Sequence, residues 1–217
     1  MCTPFSLTPQ KIEIQFQTNY LSHFYLTTLL LPTLKSTAYS PSTTPNTVRI
    51  VNLSSDGHAK LAPKEGIPFS DINMESKSTW ARYGMSKLAN VLHAKELARR
   101  YGSPVTSNST TLKPGQGIIA VSLHPGTVKT GLSAGPRGST PLYKLVQPLV
   151  ELGAPGPEKR SWNSLWCAAS PELKEENNGG YFLPVGKKSR ASVHGEDGFM
   201  ARRLWEWSEE YLREKGF

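Results

Sequence analysis

Two short β-branched runs set the architecture of this chain. Val48-Arg49-Ile50-Val51-Asn52-Leu53 stops at Ser54-Ser55, and Ile118-Ile119-Ala120-Val121-Ser122-Leu123 stops at His124-Pro125-Gly126. Each has strand length and ends in turn residues, which predicts two buried strands. Between them Thr79 to Tyr101 reads as one helix. Ala94, Leu97, Ala98 and Tyr101 recur at helical spacing, and Gly102 is a good stop. Gly180 to Val185 is a third, weaker strand. Strands separated by helices imply a parallel α/β sheet.

The remaining elements fit one domain spanning residues 1–217. Thr8 suits a helix N-cap and Pro9 the first helical position, so a helix is predicted from Gln10 to Leu31, ended by Pro32. Ser36 to Asn46 and Ser103 to Gln116 read as polar loops, and Asp56 to Ser78 as irregular. Pro141 to Leu152, Pro157 to Ala169 and Phe199 to Glu214 read as helices, with Gly153 to Gly156 as a hinge.

A chain of 217 residues suffices for one sizeable core and is short for two. The densest apolar stretch, Tyr25 to Leu34, is broken by Thr27, Thr28, Pro32 and Thr33, so no membrane span is expected. The N-terminus lacks the basic start and apolar core of a signal peptide. Cys2 and Cys167 have no motif spacing, which points to a reducing, cytoplasmic setting and away from a disulfide framework. Asn108-Ser109-Thr110 then reads as a plain polar loop rather than a glycosylation site. No His/Cys/Asp cluster has metal-ligand spacing. The net charge of +8 is scattered, without a basic stripe interleaved with aromatics, so no nucleic-acid partner is expected.

The chemistry-bearing signal is Tyr83 and Lys87, four residues apart on one helix face. A positive charge beside a phenol favours the phenolate and lowers its pKa from ~10. Such a Tyr can exchange a proton at neutral pH, which carbonyl–alcohol redox chemistry needs. Spacing alone proves little: 8 Tyr and 15 Lys make one chance pair unremarkable, and Tyr211/Lys215 is a second. The bland alternative is a solvated helix pair. Position argues against it. Sites in open α/β sheets form beyond the C-terminal ends of strands. Ser54-Ser55 ends the first strand, Pro125-Gly126 the second, and Tyr83 lies near the start of the helix between them. His93 reads as a helix-surface residue and His124 as a neighbour of the Pro-Gly turn.

With these residues the chain resembles the short-chain dehydrogenase/reductase superfamily, in its retinol-dehydrogenase-like and WW-domain-oxidoreductase-like branch. The resemblance is carried by Glu13 to Phe24, Arg49 to Ser55, Tyr83 to Asn90 and Leu123 to Thr130, in that order, with Gly180-Tyr181-Phe182 and Leu204-Trp205-Glu206 in the tail. It implies an oxidoreductase acting on an alcohol/carbonyl pair. Asn19 matches the family's water-seating Asn, Ser55 the serine that bonds the substrate oxygen, and Tyr83 the acid/base. Lys87 matches the lysine that lowers the Tyr pKa and holds the nicotinamide ribose. Pro125, Gly126, Val128 and Thr130 match the segment against the nicotinamide end of NAD(P), with NADP placed ahead of NAD. The family commonly dimerises through the helices that here span 10–31 and 79–101.

The Gly-rich turn that cradles the cofactor pyrophosphate in the family does not occur here, nor does its Asn-Asn-Ala-Gly segment. The resemblance places Met1 just after that segment. The expected fold is therefore a Rossmann-like parallel sheet flanked by helices, N-terminally truncated, whose first strand lies at an open edge and which alone binds NAD(P) poorly or not at all. Three readings follow: a piece of a genuine oxidoreductase, an inactive truncated paralogue serving as a binding or dimerisation partner, or a chain that completes its sheet with another. Gly131 to Arg160 would cover the substrate. Leu132, Leu142, Tyr143, Leu145, Val146, Leu149 and Val150 make it apolar, suiting a lipophilic alcohol or ketone, although the same residues fit the buried face of a helix.

Overall fold

The computed structural model describes residues 1–103, 117–126 and 157–217. Helix Ile14–Phe16 (α1) continues through a wide π-turn, Gln17–Leu21, into Ser22–Ala38 (α2). Strand Arg49–Leu53 (β1) leads to the short helix Gly57–Lys60 (α3) and the long helix Thr79–Tyr101 (α4). Strand Ile119–Leu123 (β2), helix Pro157–Ala169 (α5), strands Tyr181–Leu183 (β3) and Lys187–Ser189 (β4), and helix Gly198–Glu214 (α6) follow. The sheet order is β1-β2-β3-β4. β1, β2 and β3 run parallel, with Arg49 opposite Ile119 and Ser122 opposite Tyr181. β4 returns antiparallel to β3. The expected α/β class and parallel core are present.

One face of the sheet packs Ile50, Ile118 and Ala120 against α4, backed by Phe16, Tyr20, Phe24, Leu88, Leu92 and Trp205. The other packs Val51, Ile119, Val121 and Phe182 against Cys167 and Trp166 of α5. Gly84 lets α4 come close to the loop after α3. A Cβ there would lie 2.4 Å from the backbone N of Ala62 and C of Leu61.

Several expectations are corrected. The first helix starts at Ile14 rather than Gln10, because the Glu13 carboxylate, not Thr8, accepts the Gln15 and Phe16 N–H groups. It also runs through Pro32 to Ala38. Pro32 is exposed, so water can reach the carbonyl its ring leaves unbonded, while Phe24, Leu31 and Ala38 anchor both sides in the core. β1 is half-buried rather than buried. The 56–78 segment contains α3. β4 went unread, since Lys187-Lys188-Ser189 carries no apolar signal and owes its pairing to the turn at Gly186 (φ +66°). His93 is not on the helix surface: 2% exposed, it lies among Tyr20, Phe24 and Trp205. Val128, Thr130, the helix expected at Pro141 to Leu152, the hinge Gly153 to Gly156 and nearly all of the expected substrate cover lie outside the described residues.

Candidate functional site

β1 delivers Ser54 and Ser55 beyond its C-terminal end. Ser54 is the structural one: its N–H donates to Leu123 O (2.8 Å) and its hydroxyl to Lys87 O (2.8 Å). Ser55 faces the site. Its Oγ accepts from the Gly57 N–H (3.1 Å) and donates to Asp56 Oδ1 (3.1 Å). Asp56 in turn accepts from Lys60 Nζ at 2.6 Å.

Ser78 caps α4 by accepting from the Ala81 N–H (3.1 Å), and Tyr83 follows in the second turn. Tyr83 is 7% exposed. Burial raises its phenol above the ordinary tyrosine range, the nearby Ser55 hydroxyl lowers it, and Cys2 and the Asp56 carboxylate raise it further. Lys87 lies one turn on, its Nζ 5.8 Å from the Tyr83 ring centre and donating to Leu53 O at 3.0 Å. Burial pulls its ammonium down to about 8. Desolvation thus raises the Tyr83 phenol where its pairing with Lys87 was expected to lower it, and the ammonium is turned to a carbonyl.

Asn19 occupies the π-turn, a distortion that recurs at functional sites. Its Nδ2 donates to Ser86 Oγ (2.9 Å), and Ser86 donates to the Tyr83 carbonyl (2.8 Å). The fold therefore gathers Ser55, Tyr83 and Lys87 at one point and links Asn19 to them through Ser86. Pro125 and Gly126 follow the end of β2, next to β1. Gly126 has φ +87°, the backbone angle that requires glycine.

Three contributors went unread in the sequence. Asp56 is the carboxylate on Ser55. His58 accepts the Ser192 N–H at Nε2 (3.0 Å), so its Nδ1 carries the hydrogen and donates to Ser55 O (2.6 Å). Burial lowers its pKa and keeps it neutral. Buried Asn163 donates to His124 O (2.8 Å) and accepts from the Gly186 N–H (2.9 Å), joining the loops after β2 and β3. The roles of His58 and Asn163 depend on partners from distant elements, which no local pattern encodes; Asp56 bonds its near neighbours Ser55 and Lys60.

The residues present suit the nicotinamide end of a dinucleotide. The His124 Nδ1 is buried without a partner beside Pro125, and Leu53 O would keep the Asn90 amide (2.8 Å) if Lys87 turned away. A separate cavity of about 150 Å³ between α2 and α6, lined by Gln17, Leu21, Tyr25, Tyr211 and Lys215, holds none of these residues.

No family model matches the chain. Among curated relatives, a short-chain dehydrogenase/reductase, drtF, of Aspergillus calidoustus is 42% identical over 99% of this chain and 66% of its own length. Retinol dehydrogenase 13 of Homo sapiens is 36% identical over 94% of this chain and 55% of its own. An uncharacterised oxidoreductase of Schizosaccharomyces pombe is 37% identical over 92% and 55%. The chain thus spans between about half and two thirds of these relatives. A crystal structure of an uncharacterised protein from Mycobacterium paratuberculosis superposes with a TM-score of 0.61 at 28% identity, over 98% of this chain and 63% of that one.

Proposed function

The chain belongs to the short-chain dehydrogenase/reductase family, and from that premise we propose that it carries the proton-transfer site of an NAD(P)(H)-dependent oxidoreductase for a lipophilic alcohol or ketone. The carrying observation is the buried Tyr83 phenol beside the Ser55 hydroxyl and the Lys87 ammonium, beyond the ends of two parallel strands. Ser55 holds the reacting oxygen. Tyr83 takes the alcohol proton in oxidation and returns it in reduction. Lys87, ionised below about pH 8, faces a ribose hydroxyl and favours the Tyr83 phenolate when its ammonium leaves the Leu53 carbonyl. Asn19 steadies this end of α4 through Ser86 and seats a water for the proton's exit. Pro125, Gly126, Val128 and Thr130 would hold the nicotinamide end of the cofactor. When bound, NAD(P) supplies hydride acceptance or donation at the substrate carbon. The net charge of +8 places NADP ahead of NAD. Cys2 and Cys167, both buried and neither in a disulfide, fit a cytoplasmic setting.

The test is turnover of cyclohexanol and retinol with NADP⁺ and NAD⁺. It is measured for the chain alone and for the chain joined to the N-terminal third of the Aspergillus calidoustus relative. The joined protein should turn over, and Tyr83→Phe should remove at least ~100-fold of its rate, the usual worth of a general acid/base. Undiminished turnover in Tyr83→Phe would sink the assignment.

A second reading, as a binding partner, draws on the exposed Leu26, Leu29 and Leu30 of α2. They form an apolar stripe that a second copy could cover. Only Arg99 of α4 is exposed, so α4 has no free apolar face to add.

A further inference from the structure

Ser55 and Tyr83 come from different elements, so how their oxygens meet depends on how the turn after β1 is held to α4. The Gly57 N–H holds the Ser55 hydroxyl oxygen at 3.1 Å, and a Cβ on Gly57 would stand 3.1 Å from Tyr83 Cε1, so the turn already lies against the phenol. His58 fixes the Ser55 backbone. Its ring is 2% exposed and packs edge-on against Tyr181 of β3, with centroids 4.6 Å apart. Nε2 accepts the Ser192 N–H at 3.0 Å, which leaves the hydrogen on Nδ1, and Nδ1 donates to the Ser55 carbonyl at 2.6 Å. Ser192 is itself held. Its hydroxyl accepts the Gly195 N–H (3.1 Å), a Cβ on Gly195 would meet Val91 Cγ1 of α4 at 3.2 Å, and Glu196 pairs with Lys95 of α4 at 3.0 Å. One imidazole thus ties Ser55 to the helix that carries Tyr83.

We infer that His58 is a positioning residue for the proton-transfer pair: bonded to the Ser55 carbonyl on one side and to Ser192 on the other, it holds Ser55 where its hydroxyl can give a hydrogen bond to the Tyr83 oxygen or to a substrate oxygen beside it. This rests on the reading of Tyr83 as the proton-transferring group. A serine that gives its hydrogen to the phenolate favours it, in keeping with the lowering influence of Ser55 on Tyr83. Without the imidazole, the Ser55 carbonyl keeps the bond from the His58 backbone N–H (3.1 Å), which lies within the turn and does not tie it to α4. A misplacement of about 1 Å at such a pair can cost ~100-fold in rate. Burial keeps the imidazole neutral, so replacing it by another neutral side chain takes no charge from the site. The charged and titratable groups facing His58 and Tyr83 are Asp56, Lys60 on α3, Lys87 on α4, Cys2 from the N-terminal segment, His124 after β2, Tyr181 on β3 and Glu196. None of them changes between the variants.

The test needs neither cofactor nor substrate. 3,5-Difluorotyrosine placed at position 83 in the full chain gives one fluorine signal and a phenol acidic enough to titrate where the protein is folded. Its midpoint is followed by ¹⁹F NMR with His58, His58→Phe and His58→Asn, each with Ser55 and with Ser55→Ala. Phenylalanine keeps a ring against Tyr181 and loses both bonds. Asparagine loses the ring but places an amide N–H where Nδ1 stands, and so keeps a donor for the Ser55 carbonyl. With Ser55, His58→Phe should raise the midpoint by ~0.5–1 pH unit, part of what Ser55→Ala itself gives, since hydrogen bonds to charged groups are the stronger ones. His58→Asn should raise it by half of that or less. His58→Gln keeps an acceptor for the Ser192 N–H and has no donor where Nδ1 stands. It should shift the midpoint as Phe does, and it carries the test if Phe does not fold. With Ser55→Ala the Phe or Gln shift should fall to near zero, because His58 then has no hydroxyl to place. A role in packing alone would move Tyr83 alike with and without the Ser55 hydroxyl. Such equal shifts, a midpoint that stays or falls in the Phe or Gln variant, or an Asn variant shifted as far as these would overturn the inference. Retained turnover in Tyr83→Phe would instead overturn the proposed function, and would leave the coupling measured here standing.

Discussion

Lys87 shows how a single residue can be costly and retained. Its ammonium is buried enough to fall from 10.5 to about 8, and the fold gives it one carbonyl, which Asn90 also serves. Lys87→Met should therefore stabilise the chain, by ~1–3 kcal/mol at pH 7, since each unit of pKa shift is worth ~1.4 kcal/mol. The sign follows from proton binding. Between about pH 8 and 10.5 the unfolded chain holds the Lys87 proton and the folded chain has released it, so this term raises stability as pH climbs through that window. The advantage of Met over Lys should fade over the same range. Urea titrations of both proteins at pH 7 and pH 10 decide it; a Met variant less stable at pH 7 would mean that the Leu53 bond matters more than the burial. Helical spacing in the sequence was enough to place Tyr83 and Lys87 together, and the strand ends enough to bring Ser55 to them. His58 and Ser86 were not legible there, because each acts through a hydrogen bond whose partner, Ser192 or Asn19, comes from another element, whereas Asp56, bonded to its near neighbours Ser55 and Lys60, was read only as the start of an irregular segment.

Among the elements, α4 differs most from its sequence reading. Its bounds were legible, Thr79 to Tyr101, from helical spacing and a stopping Gly102, although the Ser78 cap was not. Its surroundings were not. The apolar positions Ala94, Leu97, Ala98 and Tyr101 mark one buried stripe, yet α4 is covered nearly all round by the sheet, by α3, by the α1–α2 helices and by α6. Burial from several sides is a property of the packed elements, which one helix's periodicity does not report. His93 measures the consequence. Its Nδ1 meets the Asn52 amide at 3.2 Å, and burial drives its pKa from 6.5 to about 3. Between those values the unfolded chain takes up a proton that the folded chain refuses, so stability falls as pH drops from 6.5 toward 3. The term amounts to ~5 kcal/mol in all at ~1.4 kcal/mol per unit. His93→Gln keeps an acceptor for Asn52 and cannot titrate, so it should lose visibly less stability from pH 7 to pH 4 in urea melts. Parallel losses in both proteins would place the acid-sensitive group elsewhere.

At the scale of the whole molecule, the open side of the sheet and the cofactor are one question. Ile119 N–H bonds Val48 O and Ser54 N–H bonds Leu123 O, so the even-numbered residues of β1 face β2. The backbone groups of Arg49, Val51 and Leu53 face outward, and among the described strands none pairs with them. Among the described residues only Leu53 O is closed, by Lys87 and Asn90. A further strand would continue the sheet here, and in open α/β folds a Gly-rich turn after such a strand binds the pyrophosphate. This chain offers the nicotinamide end its proposed residues and the pyrophosphate no such turn. Three or four charge-assisted hydrogen bonds are then missing, at ~1.5–3 kcal/mol each, or roughly 5–10 kcal/mol. A micromolar cofactor is held by only about 8 kcal/mol. NADP⁺ or NAD⁺ at about 1 mM should therefore leave the melting temperature of the 217-residue chain unmoved. A chain with a ~10 μM site would gain ~2.7 kcal/mol at that concentration. For a domain of this size that means a rise of ~5–10 °C, which no thermal-shift assay would miss. Such a rise would show that Lys87, Tyr83 and the turn at Gly126 hold the dinucleotide by themselves. A flat response from the chain alone, with a rise once it is joined to the N-terminal third of its Aspergillus calidoustus relative, would place the two halves of the binding energy on the two sides of the β1 edge.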